Sequence, residues 1–348
     1  MSERLVPAID IAPFEDGSAA QKLAIAGQVD AACQSIGFLV ITGHGISRQH
    51  FDDAFAAGRA FFDLPDTEKR RAISPGGLEF LGYTAPLTRN LAATLGDERP
   101  PDLREIFTVG AGARFASDFA DLPGAGDLYA PNRWPGRPDG FEAVHLRLYR
   151  AMEILSERIM RIFAVVLGLS EDYFADKIDR HFSPLGSFHY PALAAPPHPG
   201  QLRCGAHTDF GSLTLLAMDG ATDVGSLGDG TPGGLQVQTP RGDWEDVTAG
   251  PDELVLNIGD MMARWTNDRW TSTLHRVAVP PADTAGTRRQ SIGYFLHPNY
   301  DAKVRCLETC TSPDNPPRYP TATAGAEMYK KLTSRIATEP PTRSRLTP

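Results

Sequence analysis

The chain has no uninterrupted stretch of eighteen uncharged apolar residues, which excludes an ordinary membrane-spanning helix. It has little cysteine. Cys33, Cys204, Cys306 and Cys310 are scattered with no CxxC or zinc-ribbon spacing, so they predict free thiols rather than a disulfide framework. Basic residues are outnumbered 34 to 43, the formal net charge is −9, and Lys and Arg form no stripe, which argues against a nucleic-acid partner. The opening residues MSERLVPAIDIAPFEDG lack a basic start followed by an apolar core. Together these features predict a cytoplasmic protein without a membrane anchor. At 348 residues the chain is long for one average domain but within the range of β folds that carry helical additions.

What is present is a pair of runs that fit together as a metal site. The first, GAHTDFGSLTLL, starts at Gly205; the second, NIGDMMARWTNDRWTSTLHRV, starts at Asn257 and carries His275. In a strand, side chains two apart share a face, so His207 and Asp209 can reach one ion while Thr208 points away. A second strand can add His275. Two imidazoles and one carboxylate on one side of a metal form the facial triad of non-haem Fe(II) oxygenases, with the other positions open. The plain alternative is a half-buried strand histidine beside an unrelated aspartate.

Downstream, RVAVPPADTAGTRRQSIGYFLHPN reads as strand, turn and strand, and Arg289 and Ser291 stand at period two on the second strand. A planar guanidinium beside a hydroxyl suits a carboxylate. A solvated surface arginine is the competing reading. Phe295 shares that face and can form either pocket wall or core.

These runs, in this order and with GGLQV between them, resemble the iron and 2-oxoglutarate-dependent oxygenases of the isopenicillin N synthase-like superfamily, from about Leu5 to about Thr338. The resemblance implies that His207, Asp209 and His275 bind Fe(II). It also implies that Arg289 and Ser291 hold the distal carboxylate of 2-oxoglutarate, assisted by Tyr190 in SFHYPAL. LGYTAP and DLREIF match landmarks of the family's active-site roof, which makes Tyr83 and Arg104 candidate substrate contacts, with core packing and surface exposure as their alternatives. The implied activity consumes O2 and 2-oxoglutarate, oxidises a C–H bond of a small-molecule metabolite and releases succinate and CO2, with ascorbate as an activator in vitro. Phe188, where plant members often carry asparagine, and a long turn before Arg289 depart from the family pattern.

Three other functions compete. An iron oxidase of the isopenicillin N synthase type dispenses with 2-oxoglutarate and has a further glutamine ligand near its C-terminus; no glutamine follows Gln290 here. A non-catalytic jelly-roll binding protein is opposed by the intact triad. A zinc hydrolase is opposed by the lack of a general base at fixed spacing such as HExxH.

The expected architecture is mainly β with helical additions: a double-stranded β-helix, or jelly roll, braced by a long helix and preceded by a helix-rich N-terminal region. Residues 1–125 form an N-terminal region and 126–348 the jelly-roll part of one structural unit. Ser18 is placed to cap a helix running to about Ser35, and Ser47 a second one with Phe51, Phe55 and Phe62 on its core face. Leu148, Met152, Leu155, Ile159, Ile162 and Val166 predict a long amphipathic helix, and Met328, Leu332 and Ile336 a C-terminal one. His44, His50, His145, His181, His189, His198 and His297 lack ligand-like spacing and read as structural or solvated. Cys204, close to His207, reads as a small buried thiol.

Overall fold

The computed structural model describes residues 5–74, 80–97, 99–193, 195–219, 234–280 and 286–336. The strands of its two larger sheets, in chain order, are β1 (Ala8–Asp10), β2 (Phe38–Thr42), β3 (Gly82–Thr84), β4 (Glu105–Val109), β5 (Leu185–Tyr190), β6 (Cys204–His207), β7 (Leu213–Met218), β8 (Leu235–Gln238), β9 (Trp244–Asp246), β10 (Leu254–Ile258), β11 (His275–Val277) and β12 (Arg289–Leu296). Eight of them form one sheet in the order β1-β2-β10-β7-β12-β5-β4-β3. The other four form a smaller sheet, β6-β11-β8-β9. All of these pairings are antiparallel except β1 with β2.

The large sheet is buried on both faces, which is why its strands read as apolar runs rather than as alternating ones. In β2, Leu39 and Ile41 join the core on the helix side, while Phe38 and Val40 pack with Leu235 and Val237 of the small sheet. Ile106, Phe188 and Tyr190 meet Cys204 and Val277 in the same interlayer. The architecture is therefore a two-sheet jelly roll with helices over the outer face of the larger sheet.

Those helices start and stop where local chemistry directs. Ser18 caps the helix Ala19–Ser35 with a capping box: its hydroxyl accepts from Gln21 N–H, and the Gln21 side chain accepts from Ser18 N–H at 2.9 Å. Ser47 caps Arg48–Phe62 through Gln49 N–H, and Phe51, Phe55 and Phe62 are buried as expected. The long helix Phe141–Val166 packs on both and on the large sheet; Leu148, Met152, Leu155, Ile159 and Ile162 are buried, and Val166 only partly so. Each such side chain contributes about 1.5–3 kcal/mol when fully withdrawn from water. The C-terminal helix spans Ala324–Ile336 with Met328 and Leu332 buried. The tail after Glu339 lies outside the described residues. The short helices had no sequence signal; Asp260–Trp265, six residues long, is too short to display a helical period. Among the described residues no helix is long and apolar enough to cross a membrane.

Candidate active site

The metal-ligand candidates gather at one end of the small sheet. His207 is the last residue of β6 and His275 the first of β11, and the two are register partners with ring centroids 4.2 Å apart. Asp209 arrives differently from the sequence expectation. The strand ends at His207, so a tight loop rather than strand alternation returns the carboxylate to the histidines. Backbone bonds fix that loop: Asp260 N–H to Asp209 O at 2.8 Å, Met261 N–H to Gly211 O at 3.0 Å, and Ser212 N–H to Leu296 O at 2.7 Å. Glycine is required where the backbones cross, because a Cβ on Gly259 would lie 2.2 Å from Gly211 O.

Each histidine has its tautomer set by the backbone. His207 Nδ1 lies 2.8 Å from Gly205 O and His275 Nδ1 lies 3.0 Å from Thr273 O. A carbonyl only accepts, so both Nδ1 atoms carry protons and both Nε2 lone pairs face inward. Each Nε2 stands 3.7 Å from an Asp209 oxygen, too far for a hydrogen bond. Asp209 Oδ2 accepts from Thr214 Oγ1 at 2.5 Å and Asn257 Nδ2 at 2.7 Å, which orients the carboxylate and leaves Oδ1 available. Burial and the adjacent His275 press the His207 pKa well below its ordinary value, so the ring is a neutral ligand. Burial alone would raise the Asp209 pKa; His275 and His207, with the bonds from Asn257 and Thr214, overcome it and hold the group as a carboxylate. Donor atoms of the three residues lie within 4.8 Å of one another, the one such group among the described residues. Two imidazoles and a carboxylate, separated and aimed inward, fit a divalent iron ion.

A second, cationic feature lies beside the triad between the sheets. Arg289 and Tyr190 are register partners on β12 and β5, with the guanidinium 5.1 Å from the tyrosine ring. Arg289 is 8 % exposed, yet its Nη1 and Nη2 are buried without a hydrogen-bond partner. Leaving a buried cation so placed costs several kcal/mol unless an anion meets it. Ser291, on the same face, is also buried. Arg203 also approaches the Tyr190 ring, at 6.0 Å, with Nη2 donating to Thr287 O at 2.7 Å. Burial and the charge of Arg289 pull the Arg203 pKa down to about 10. This set fits the carboxylate end of 2-oxoglutarate. The sequence reading did not single out Arg203.

On another side of His207 and Asp209 lies a cavity of about 150 Å³. Arg104, Phe188, Phe210, Phe295, Met328 and Leu332 are among its walls, and neither His275 nor Arg289 is. Phe295 and Arg104 are thus brought to the site. Tyr83 is not: it is 2 % exposed within the helix-side core, packs on Phe61 and donates its hydroxyl to Glu105 Oε2 at 2.5 Å. His297, read as structural, lines the cavity while stacking on Phe182; burial pushes its pKa down to about 3, so it stays neutral. Cys204 Sγ sits 3.8 Å from His207 Nδ1, on the side of the ring turned from Asp209. Asn257 was the most legible of the missed residues, since it interrupts the apolar run LVLNI.

Comparison with known proteins agrees with this geometry. A family model described as the 2OG-Fe(II) oxygenase superfamily matches residues 183–298, and one described as the non-haem dioxygenase in morphine synthesis N-terminal matches residues 6–137. The 2-oxoglutarate-Fe(II) type oxidoreductase ppzD of Metarhizium majus is 30% identical over 95% of both chains. The 2-oxoglutarate-Fe(II) type oxidoreductase hxnY of Emericella nidulans is 31% identical over 95% of this chain and 94% of its own. A full-length Neurospora crassa protein solved in complex with alpha-KG and thymine superimposes with a TM-score of 0.78 at 30% identity, over 94% of this chain and 96% of that one.

Proposed function

The chain belongs to the 2-oxoglutarate-Fe(II) oxygenase superfamily, and from that premise we propose how its residues divide the work. His207, Asp209 and His275 hold iron. Arg289, Ser291 and Tyr190 hold the distal carboxylate of 2-oxoglutarate, with Arg203 as a further cation beside them. The cavity walled by Arg104, Phe188 and Phe295 receives a small-molecule metabolite. Bound iron and 2-oxoglutarate supply the oxidation of a C–H bond by dioxygen, with succinate and CO2 as co-products.

The observation that carries the co-substrate assignment is the pair of buried Arg289 nitrogens without partners. A dicarboxylate with one end at Arg289 satisfies them and leaves its other end free to extend toward the triad. Asn257 and Thr214 keep Asp209 from rotating onto either imidazole, so the three donors face the metal together. Phe188 and Phe295, ring centroids 6.1 Å apart, exclude water from the substrate side. Residues 1–125 and 126–348 act as one unit in this reading, and four free thiols support a cytoplasmic setting. Further relatives, 29–31% identical to this chain, are a proline hydroxylase, a validamycin A dioxygenase and an azadirone synthase, so shared chemistry serves differing substrates.

The test needs no substrate. With Fe(II), ascorbate, 2-oxoglutarate and air, slow succinate formation is expected by mass spectrometry, with His207→Ala as the blank. Equilibrium binding of 2-oxoglutarate should weaken roughly ten- to a hundredfold in Arg289→Leu, the worth of a charge-assisted contact of about 1.5–3 kcal/mol. Undiminished binding would give Arg289 another role.

A further inference from the structure

We propose that His297 is a specificity-determining residue, and that its imidazole hydrogen-bonds an uncharged polar group on a compact, ring-sized substrate lying against Phe188 and Phe295. The inference rests on the assignment above of the cavity as the substrate side of the metal.

His297 follows β12 directly and continues its alternation. Ile292, Tyr294 and Leu296 turn to the helix-side core, whereas Phe295 and His297, two apart, both line the cavity with His207 and Asp209. The ring is held in place without using its nitrogens. The His297 N–H donates to Ser183 Oγ at 2.9 Å, its carbonyl accepts from the same hydroxyl at 3.4 Å, and the ring stacks on Phe182 with centroids 4.9 Å apart and planes at 9°. The other buried histidines are bonded at the ring. His44 accepts Ile46 N–H, His145 lies against Phe141 O and Ser187 Oγ, His181 and His189 meet Glu153 and Glu105, and His275 is fixed by Thr273 O. His297 Nδ1 is buried without a partner, and Nε2, equally unbonded, opens on the cavity.

The chemistry of the ring then selects its partner. A neutral imidazole carries one donor and one acceptor, and buried polar groups of a protein are as a rule hydrogen-bonded. Because burial holds the His297 pKa at about 3, the ring has no charge with which to offset the dehydration of an ion. An amide, carbonyl or hydroxyl suits it. Neighbouring polar groups of the cavity are committed elsewhere. Arg104 pairs with Asp102 and bonds Tyr190, Thr208 Oγ1 donates to Asp260 Oδ2 at 3.3 Å, and His207 and Asp209 face the metal. The volume sets the size, since a cavity of about 150 Å³ holds roughly one benzene-sized body.

The experiment uses the full chain loaded anaerobically with Fe(II) and 2-oxoglutarate. Binding of phenol against benzene, benzyl alcohol against toluene, and benzamide against benzoate is measured by ligand-observed NMR. The uncharged polar member of at least one pair should bind about tenfold or more tightly, the worth of a buried hydrogen-bonding group that finds its partner. His297→Leu should erase that preference and His297→Gln should keep part of it, with 2-oxoglutarate affinity changed less than twofold in both. A crystal structure of the loaded wild type with the tightest probe should place the probe's polar atom within about 3.2 Å of His297 Nε2. No preference in the wild type, no binding by any probe, benzoate bound more tightly than benzamide, a preference that survives in His297→Leu, or a probe seated away from His297 each overturns the proposal while leaving the iron and co-substrate assignment intact. Failure of the wild type to bind iron or 2-oxoglutarate strikes the underlying assignment instead. The wild-type affinities and the probe's position decide the matter even if a variant does not fold.

Discussion

Histidine and carboxylate side chains meet in two settings here. At the small sheet, His207 and His275 each keep Nε2 3.7 Å from Asp209. On the helix side of the large sheet, His181 Nε2 bonds Glu153 Oε1 at 2.7 Å, and His189 Nδ1 bonds Glu105 Oε1 at 2.8 Å. The chemical groups are alike and the burial is similar. The difference lies in what else each atom touches. His181 also accepts Ser183 N–H at Nδ1, and Glu153 takes Arg114 and Arg150, so that cluster is closed on itself. In the triad, backbone carbonyls, Thr214 and Asn257 occupy the outward atoms and hold the inward ones apart. A ligand set is a group of donors prevented from satisfying one another.

The strongest way to break this comparison is to remove one donor from each setting. His275→Ala should lose stoichiometric iron and all succinate formation, whereas Glu153→Gln should bind one iron per chain when folded. Metal analysis after anaerobic loading reads both, and iron retained in His275→Ala would remove the distinction.

A smaller effect is expected from the atoms that keep the donors apart. Asn257→Leu leaves Asp209 with only Thr214 as an orienting partner, and iron affinity should fall about ten- to a hundredfold, followed by competition with a chelator. Unchanged affinity would show that the loop alone fixes the carboxylate.

The smallest effect sharpens the other side. Burial favours the neutral form of Glu153, but bonds from His181, Arg114 and Arg150 outweigh it and hold the pKa at about 2. Because the folded value lies below the unfolded value of about 4.3, this stabilisation is full above that range and fades as pH falls toward 2. Glu153→Gln should therefore cost about 1–3 kcal/mol at neutral pH. The gap in Tm between variant and wild type should narrow from pH 5 to pH 3. A gap that does not change with pH would mean the carboxylate's charge contributes nothing.

Much of this was legible because it depends on short spacings. Ser18 with Gln21, the His207/Asp209 pair and Arg289 with Ser291 each lie within a few residues, where local geometry fixes relative direction. Asn257, Arg203, His297 and Leu332 reach the site only through sheet order and helix docking, which spacing does not encode. Tyr83 shows the same limit from the other direction. LGYTAP matched a landmark of the family's active-site roof, but Glu105 and the rings of the helix-side core decided which way the Tyr83 side chain turned.

Gly259 and Gly211 give the molecule a division of inheritance. A single added methyl at Gly259 would strike the carbonyl of Gly211, and that crossing holds the loop carrying Asp209. The reaction is therefore written in backbone, where even the smallest change is punished. Selectivity is written in the tips of Arg104, Phe188, Phe295, Met328 and Leu332, which can be exchanged without disturbing that crossing. A lineage built this way can take up new substrates by altering its walls while passing on the same oxidation unchanged.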